Sequence, residues 1–396
     1  MRDEDRTVIT MSNDFQGDVK DFAMVIPVPT LVEQEQINVG DQSLVDHLDA
    51  YTAPRLVEYH DNNPCVQRRR TLKMEMMTDS AAPEMAPAPP AAQDLGVTIE
   101  ASYTVGEYDI LILAAEQSDG LIQWLTANDY QLPAGAASVV GSYIKQGMRF
   151  FVARVNMAQH ESLGFANLRP LQVAFESPKF MLPIRLGTLN ANGKQELFVF
   201  TLTRTGRVET SNYRTVRLPT DLNIPTFVKP RFSDFYRDLF SKQVEMHDGK
   251  AVFLEYAWDM AWCDPCAANP LSTAQLRDLG VYWLSETRRN SPAQDVFVTR
   301  LHVRYDAETF PDDLKFVETG DRSNFQGRYI MRHAWDGTAT CPAAQQYFAS
   351  VKKREHENAA RLVRLTGWDK KEVEAMMGAS LNLPEDDKWW RRIWKQ

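Results

Sequence analysis

Short apolar runs of strand character recur along this chain, and fewer stretches carry apolar residues at helical spacing. Thr7-Val8-Ile9 and Phe22 to Ile26 read as two strands. The turn-rich Asn13 to Asp18 between them predicts a hairpin. Asp41 to Tyr51 predicts a short helix, with Leu44, Val45, Leu48 and Tyr51 on one face and Ala53-Pro54 ending it. Residues 97 to 115 predict two strands, the second so continuously apolar (Tyr108 to Ala114) that both its faces should be covered. Helices are expected over Gly120 to Asn128 and Gly135 to Gln146, then a strand over Arg149 to Val155. From 169 to 217 the pattern is β in character. Leu171 to Phe175 alternates, Asn190-Ala191-Asn192-Gly193 signals a hairpin ahead of Glu196 to Thr203, and Thr205-Gly206 turns into Val208, so a meander with one wet face is expected.

The second half opens on an amphipathic helix, Phe232 to Met246. Ser233 is its expected cap, Phe235, Tyr236, Leu239, Phe240 and Val244 its inner face, and Asp248-Gly249 its end. It leads into the strand-like Ala251 to Tyr256 and then Trp258-Asp259-Met260-Ala261-Trp262-Cys263-Asp264-Pro265-Cys266. Val296 to Tyr305 predicts a strand whose Thr299, Arg300, His302 and Arg304 read as outward, and Gly327 to His333 predicts another. Cys341-Pro342 opens the longest helix, to about Leu365, with a charged middle at Lys352 to Glu357. Asp369 caps a last helix in a capping-box arrangement with Glu372. The fold class is therefore α+β: an antiparallel, strand-rich body with several amphipathic helices and a helical C-terminus. Two regions are expected to pack as one body. One spans 1–230, with a Pro/Ala-rich loop at 80–94 that is too poor in large apolar residues to build a core, and the other spans 231–396.

Length and charge narrow the function classes. A chain of 396 residues can bury a large core. Its net charge of −9 argues against a nucleic-acid partner. No run reaches the apolar length of a membrane span. The tail Lys388 to Lys395 interleaves Trp389, Trp390 and Trp394 with cations, which suits either peripheral membrane contact or docking onto the body. Arg68-Arg69-Arg70 reads as a solvated run or a protease-sensitive loop. A strand as early as Arg6 to Met11 leads to the expectation of a shortened N-terminus, and no signal peptide is present in these residues.

The chemistry centres on Cys263 and Cys266. Two cysteines at this spacing can close a small disulfide, cycle between dithiol and disulfide, or supply half of a metal site. A metal needs a second pair of soft ligands, and Cys65 and Cys341 are single cysteines with no histidine three to five residues after either, so neither metal nor cofactor is expected. Trp-Cys-x-Pro-Cys after an apolar strand looks like the thioredoxin active-site signature. The next helix start, however, is Ser272 or Pro270, too far on for a helix dipole to act on Cys263. Cys65 follows His60 and Asp61, but its Asn-Pro turn favours a half-cystine over a catalytic thiol. Trp258, Asp259, Trp262, Asp264, His302 and His333 are the residues that could line a pocket. Metalloprotease, Walker, dinucleotide-binding, nucleophile-elbow and EF-hand signatures are absent.

Several stretches carry a family resemblance: Asp21 to Pro29 (Asp-Phe-Ala-Met-Val-Ile-Pro-Val-Pro), Phe175 to Leu186, the Trp-Asp-Met-Ala-Trp-Cys-Asp-Pro-Cys block, and Tyr329-Ile330-Met331-Arg332-His333. Together they resemble the bacterial family DUF2330, whose activity is not established. The resemblance implies an extracytoplasmic home, in the periplasm or cell envelope, with an export signal and a further cysteine upstream of these residues. In that setting it implies disulfides, most simply Cys263 with Cys266 and Cys65 with Cys341. The leading expectation is a non-catalytic envelope protein that binds or scaffolds an unknown protein or small molecule. One alternative is a thiol–disulfide oxidoreductase using Cys263 as nucleophile and Cys266 as resolving thiol. A second is a hydrolase or metalloenzyme assembled from distant residues such as Asp259, Asp264, His302 and His333.

Overall fold

The computed structural model describes residues 1–12, 23–65, 92–93, 96–128, 130, 132–163, 168–189, 193–262, 268–285, 295–337 and 341–380. These form an α+β structure built of mostly antiparallel sheets with helices. The chain divides into two compact units. Unit 1 takes Met1–Ala53, Met77–Arg217 and Gly249–Phe325; unit 2 takes Pro54–Met76, Leu218–Asp248 and Gln326–Gln396. Among the described residues, no helix is long and apolar enough to cross a membrane.

Within unit 1, one sheet orders strands Ala23–Val28, Arg149–Val155, Tyr108–Ala115, Val97–Val105 and Ala92–Gln93, all antiparallel. Tyr108–Ala115 is central and contributes to a core on each face, as its nearly continuous apolar run, interrupted by Asp109, requires. A second sheet pairs Arg6–Met11 with Leu171–Glu176. The expected hairpin between Thr7-Val8-Ile9 and Phe22 to Ile26 is therefore not formed, because the two strands belong to different sheets. The 169–217 stretch is not a meander either. Leu171–Glu176, Met181–Leu182 and Gln195–Thr203 lie in three sheets, with a short helix at Arg185–Leu189 between them.

The sheet that carries the candidate chemistry orders Gln195–Thr203, Phe297–Tyr305, Ala251–Asp259 and Arg214–Arg217. Its first three strands are antiparallel and Arg214–Arg217 adds in parallel. One face contributes Leu254, Phe297, Leu301 and Val303 to a core. The other is covered by the helix Gln42–Thr52, whose Leu48 and Tyr51 pack with Tyr256 and Trp258. Asp41 starts that helix, its carboxylate accepting the Ser43 N–H at 2.9 Å. The register between Ala251–Asp259 and Phe297–Tyr305 breaks at Leu254/Tyr256, which leaves Glu255 as an extra residue in a bulge.

Unit 2 is different in kind. Its strands Leu222–Asn223, Arg328–His333 and Arg55–His60 form a three-stranded sheet, entirely parallel. The helix Phe232–Met246 buries Phe235, Leu239, Phe240 and Val244 as its periodicity predicts. Arg231, not Ser233, stands at its N-cap, because a 3-10 turn over Thr226–Arg231 runs straight into it and puts Ser233 inside. Cys341 is the N-cap of the helix Pro342–Thr366, and Asp369 accepts the N–H groups of Lys371 and Glu372 to start Lys370–Ser380.

Candidate functional site

Glu255 is the only acid in the apolar run Ala251 to Tyr256, and its side chain is fully buried. A carboxylate taken out of water costs several kcal/mol unless a cation meets it. Here two do. The bulge aims one carboxylate oxygen at Arg300 Nε, which donates at 2.6 Å, and leaves the other 2.7 Å from His302 Nδ1. Both partners sit on the neighbouring strand Phe297–Tyr305, two residues apart and so on one face.

The pairing continues on either side. Arg300 Nη1 donates to the Asp49 carboxylate at 2.6 Å and to the Asp49 carbonyl at 3.0 Å, reaching the helix Gln42–Thr52. His302 Nε2 lies 3.0 Å from a Glu196 oxygen on strand Gln195–Thr203, and the second Glu196 oxygen accepts from Arg304 Nε at 2.8 Å. The result is an alternating ladder, Asp49–Arg300–Glu255–His302–Glu196–Arg304, that ties one helix to three strands. Phe198 closes it from above, its ring 4.1 Å from the His302 ring and 4.6 Å from the Arg300 guanidinium carbon.

The ladder revises the expected face of this strand. Arg300 and His302, read as outward, are 4% and 3% exposed, and Thr299, also read as outward, is buried on the opposite face, where its hydroxyl accepts the Val208 N–H at 3.1 Å. Burial alone would lower the His302 pKa, but its hydrogen bonds to the Glu196 and Glu255 carboxylates outweigh it and raise the value above its ordinary 6.5. Chiefly through its hydrogen bond to His302, and then through Arg304, Glu196 is held down at about 2. With both ring nitrogens hydrogen-bonded to carboxylates, the protonated ring of His302 is favoured over the neutral one. It has no free nitrogen with which to take a proton from a substrate.

These shifts predict a two-sided pH profile for unit 1. The raised His302 contributes stability that is complete below its unfolded value of 6.5 and is lost as pH climbs through its folded value. The depressed Glu196 contributes stability that is present above 4.5 and is lost as pH falls through about 2. Urea midpoints of His302→Gln measured against pH should lose the alkaline decline of the parent. A parent-like decline in that variant would assign it to another group.

The tryptophan block begins on the same strand, past the bulge, with Trp258 and Asp259 as the strand's last residues. Trp258 is buried against Tyr256 and pairs across the sheet with Val298, while Trp262 is 49% exposed with its ring 4.9 Å from that of Trp258. Asp259 accepts the Ala261 N–H at 2.9 Å and an Arg322 N–H at 2.6 Å. Trp258, Asp259 and Trp262 thus come together at the end of the strand Ala251–Asp259, which belongs to the same sheet as His302. Cys263, Asp264 and Cys266 lie outside the described residues. So do Arg68 to Arg70, the 190–192 part of the expected hairpin, the 80–94 loop apart from 92–93, and Trp389, Trp390 and Trp394. The next helix, Thr273–Asp278, opens on Ser272 in a capping box with Gln275.

His333 belongs to unit 2. Its Nε2 is 2.7 Å from Glu58, whose other oxygen accepts from Lys229 at 2.5 Å, and its ring stacks on His60 at 4.5 Å. Also in unit 2, Cys65 and Cys341 form a disulfide with Cα atoms 6.1 Å apart, across a sequence separation of 276. Close by in sequence, Asp61 accepts from Tyr347 Oη at 2.9 Å and from Arg354 Nη1 at 2.8 Å. Among the described residues no cluster of three or more His, Cys, Asp or Glu side chains could hold a metal.

Glu255, Glu196, Asp49 and Arg300 were not singled out by sequence as site residues. The available signal was Glu255 itself, since one acid in a doubly covered strand demands a buried cation nearby.

A family model described as "Uncharacterized protein conserved in bacteria (DUF2330)" matches residues 1–317. The chain belongs to the DUF2330 family. The match takes in every rung of the ladder and the tryptophan block, and it ends before the strand of His333 and the helix that Cys341 caps. No curated protein and no solved structure matches the chain.

Proposed function

We propose that this DUF2330 protein is a non-catalytic, disulfide-stapled protein of the bacterial envelope that binds or scaffolds a partner. The Cys65–Cys341 bond carries the reading, because disulfides persist in oxidising compartments and are rare where thiol buffers keep cysteines reduced. The buried ionisable groups support it from another side. In the ladder the acids and bases are matched to one another, with both His302 nitrogens spent on carboxylates. That arrangement locks a sheet to a helix and offers no reactive group to a substrate.

The test is to tag the protein at its own locus, fractionate the cells, and block free thiols with a mass-shifting maleimide before denaturation. Recovery in the envelope or periplasmic fraction, with Cys65 and Cys341 protected, is the expected result. Cytoplasmic recovery with both cysteines labelled would overturn the reading.

A further inference from the structure

The carboxyl ends of the parallel strands in unit 2 collect cations that no carboxylate among the described residues neutralises. Asn223 ends the strand Leu222–Asn223, and Arg332 and Tyr59 are the penultimate residues of theirs. The registers Arg332 with Tyr59 and Ile330 with Asn223 put all three on one sheet face, opposite to Glu58 and His333. Arg332 Nε donates to Asn223 Oδ1 at 3.1 Å, and its guanidinium lies 5.2 Å over the Tyr59 ring. From the helix Pro342–Thr366, Arg361 Nη1 donates to the Asn223 carbonyl at 3.0 Å and to Asn358 Oδ1 at 3.1 Å. Asn358 is 2% exposed, so it forms a buried prop for Arg361.

One asparagine therefore holds two guanidinium groups through its two oxygens. Such groups repel unless an anion lies between or beside them. Arg354, on the same helix, is matched by Asp61 and Glu355. Among the described residues, Arg332 and Arg361 have no acidic partner, and Nη2 of each is left without a hydrogen bond. Both side chains are half-buried, within reach of solvent. The space outside the carboxyl ends of parallel strands is also where ligands of open α/β sheets bind. Fork-shaped guanidinium edges suit two oxygens of a carboxylate or a phosphate.

We propose that Arg332 and Arg361, set by Asn223 and Asn358, form an oxyanion-binding site for the carboxylate or phosphate group of a ligand. Tyr59, 41% exposed beneath Arg332, would give the body of that ligand an aromatic face. The site goes beyond the envelope reading and does not depend on it, since it is tested on the purified full chain.

The experiment is calorimetric titration with inorganic phosphate and with acetate, at constant ionic strength in chloride. Saturable binding of at least one anion is expected, weakened at least tenfold in both Arg332→Met and Arg361→Met and unchanged in Lys353→Met. Preference for phosphate would point to a phosphate ester as ligand, and preference for acetate to a carboxylate. Thermal midpoints check that the variants fold. If Arg361→Met fails, Arg361→Lys keeps the charge and removes the fork, and it should still weaken binding. No saturation by either anion, or binding that survives both arginine substitutions, would overturn the proposal.

Discussion

Glu255→Ala is expected to destabilise unit 1 by about 3–5 kcal/mol, because it strips the shared counter-charge from two buried cations at once. The Arg300 and His302 side chains are only 5% and 4% exposed, so neither can turn to water without opening the sheet. Arg300 keeps Asp49 and His302 keeps Glu196, but both of those acids are partly exposed and interact in a higher dielectric. Glu255→Gln preserves the shape of the bulge residue and one acceptor, and should cost less than the alanine variant. The triple variant Glu255→Leu, Arg300→Met, His302→Leu should recover much of the loss, since a well-packed apolar set often matches a buried ion network in stability. Urea unfolding followed by tryptophan fluorescence, with Trp258 buried on the same strand, reads the effect. A loss under about 1 kcal/mol for Glu255→Ala would mean that water reaches the ladder and that it is not a buried network.

The same ladder shows where sequence reasoning succeeds and where it stops. The strand from Val296 to Tyr305 was legible, and so were the helix over Gln42–Thr52 and the inner face of Phe232–Met246. All three follow from local spacing. Which face of a polar-alternating strand meets water does not follow locally. Arg300, His302 and Arg304 have the pattern of a wet face, and only the acids of two other strands and one helix make it a covered one. Pairing is lost for the same reason. Arg6–Met11 and Ala23–Val28 both carry a strand pattern, yet each pairs with a strand more than a hundred residues on and not with the other. Single-sequence periodicity carries no term for that choice. The arginine pair at Asn223 was invisible for a related reason. Arg332 and Arg361 become neighbours only when a helix is laid against the end of a parallel sheet that the sequence pattern did not announce.

Cys65→Ser with Cys341→Ser should cost unit 2 about 2–5 kcal/mol. The loop-entropy expression for a separation of 276 residues gives a little over 5 kcal/mol. The segments Met77–Arg217 and Gly249–Phe325 of unit 1 are encoded inside that loop, and they lower the figure if unit 1 stays folded while unit 2 opens, since the chain freed by the missing bond is then shorter. A second tether also survives reduction. Asp61 still accepts from Tyr347 and Arg354, so the strand Arg55–His60 stays fastened to the helix Pro342–Thr366 by two hydrogen bonds in partly buried surroundings. The serine variant should therefore fold, and its loss should appear as faster amide exchange in the first turns of that helix. Asp61→Asn then separates the two fastenings. With the disulfide present it removes a salt bridge from ends that remain covalently joined. Without the disulfide it releases the ends themselves, so its cost should be larger in the serine background, by at least about 0.5 kcal/mol of coupling. Equal costs in both backgrounds would mean that the covalent and ionic tethers restrain different motions, and that the disulfide is not what holds the helix start to the sheet.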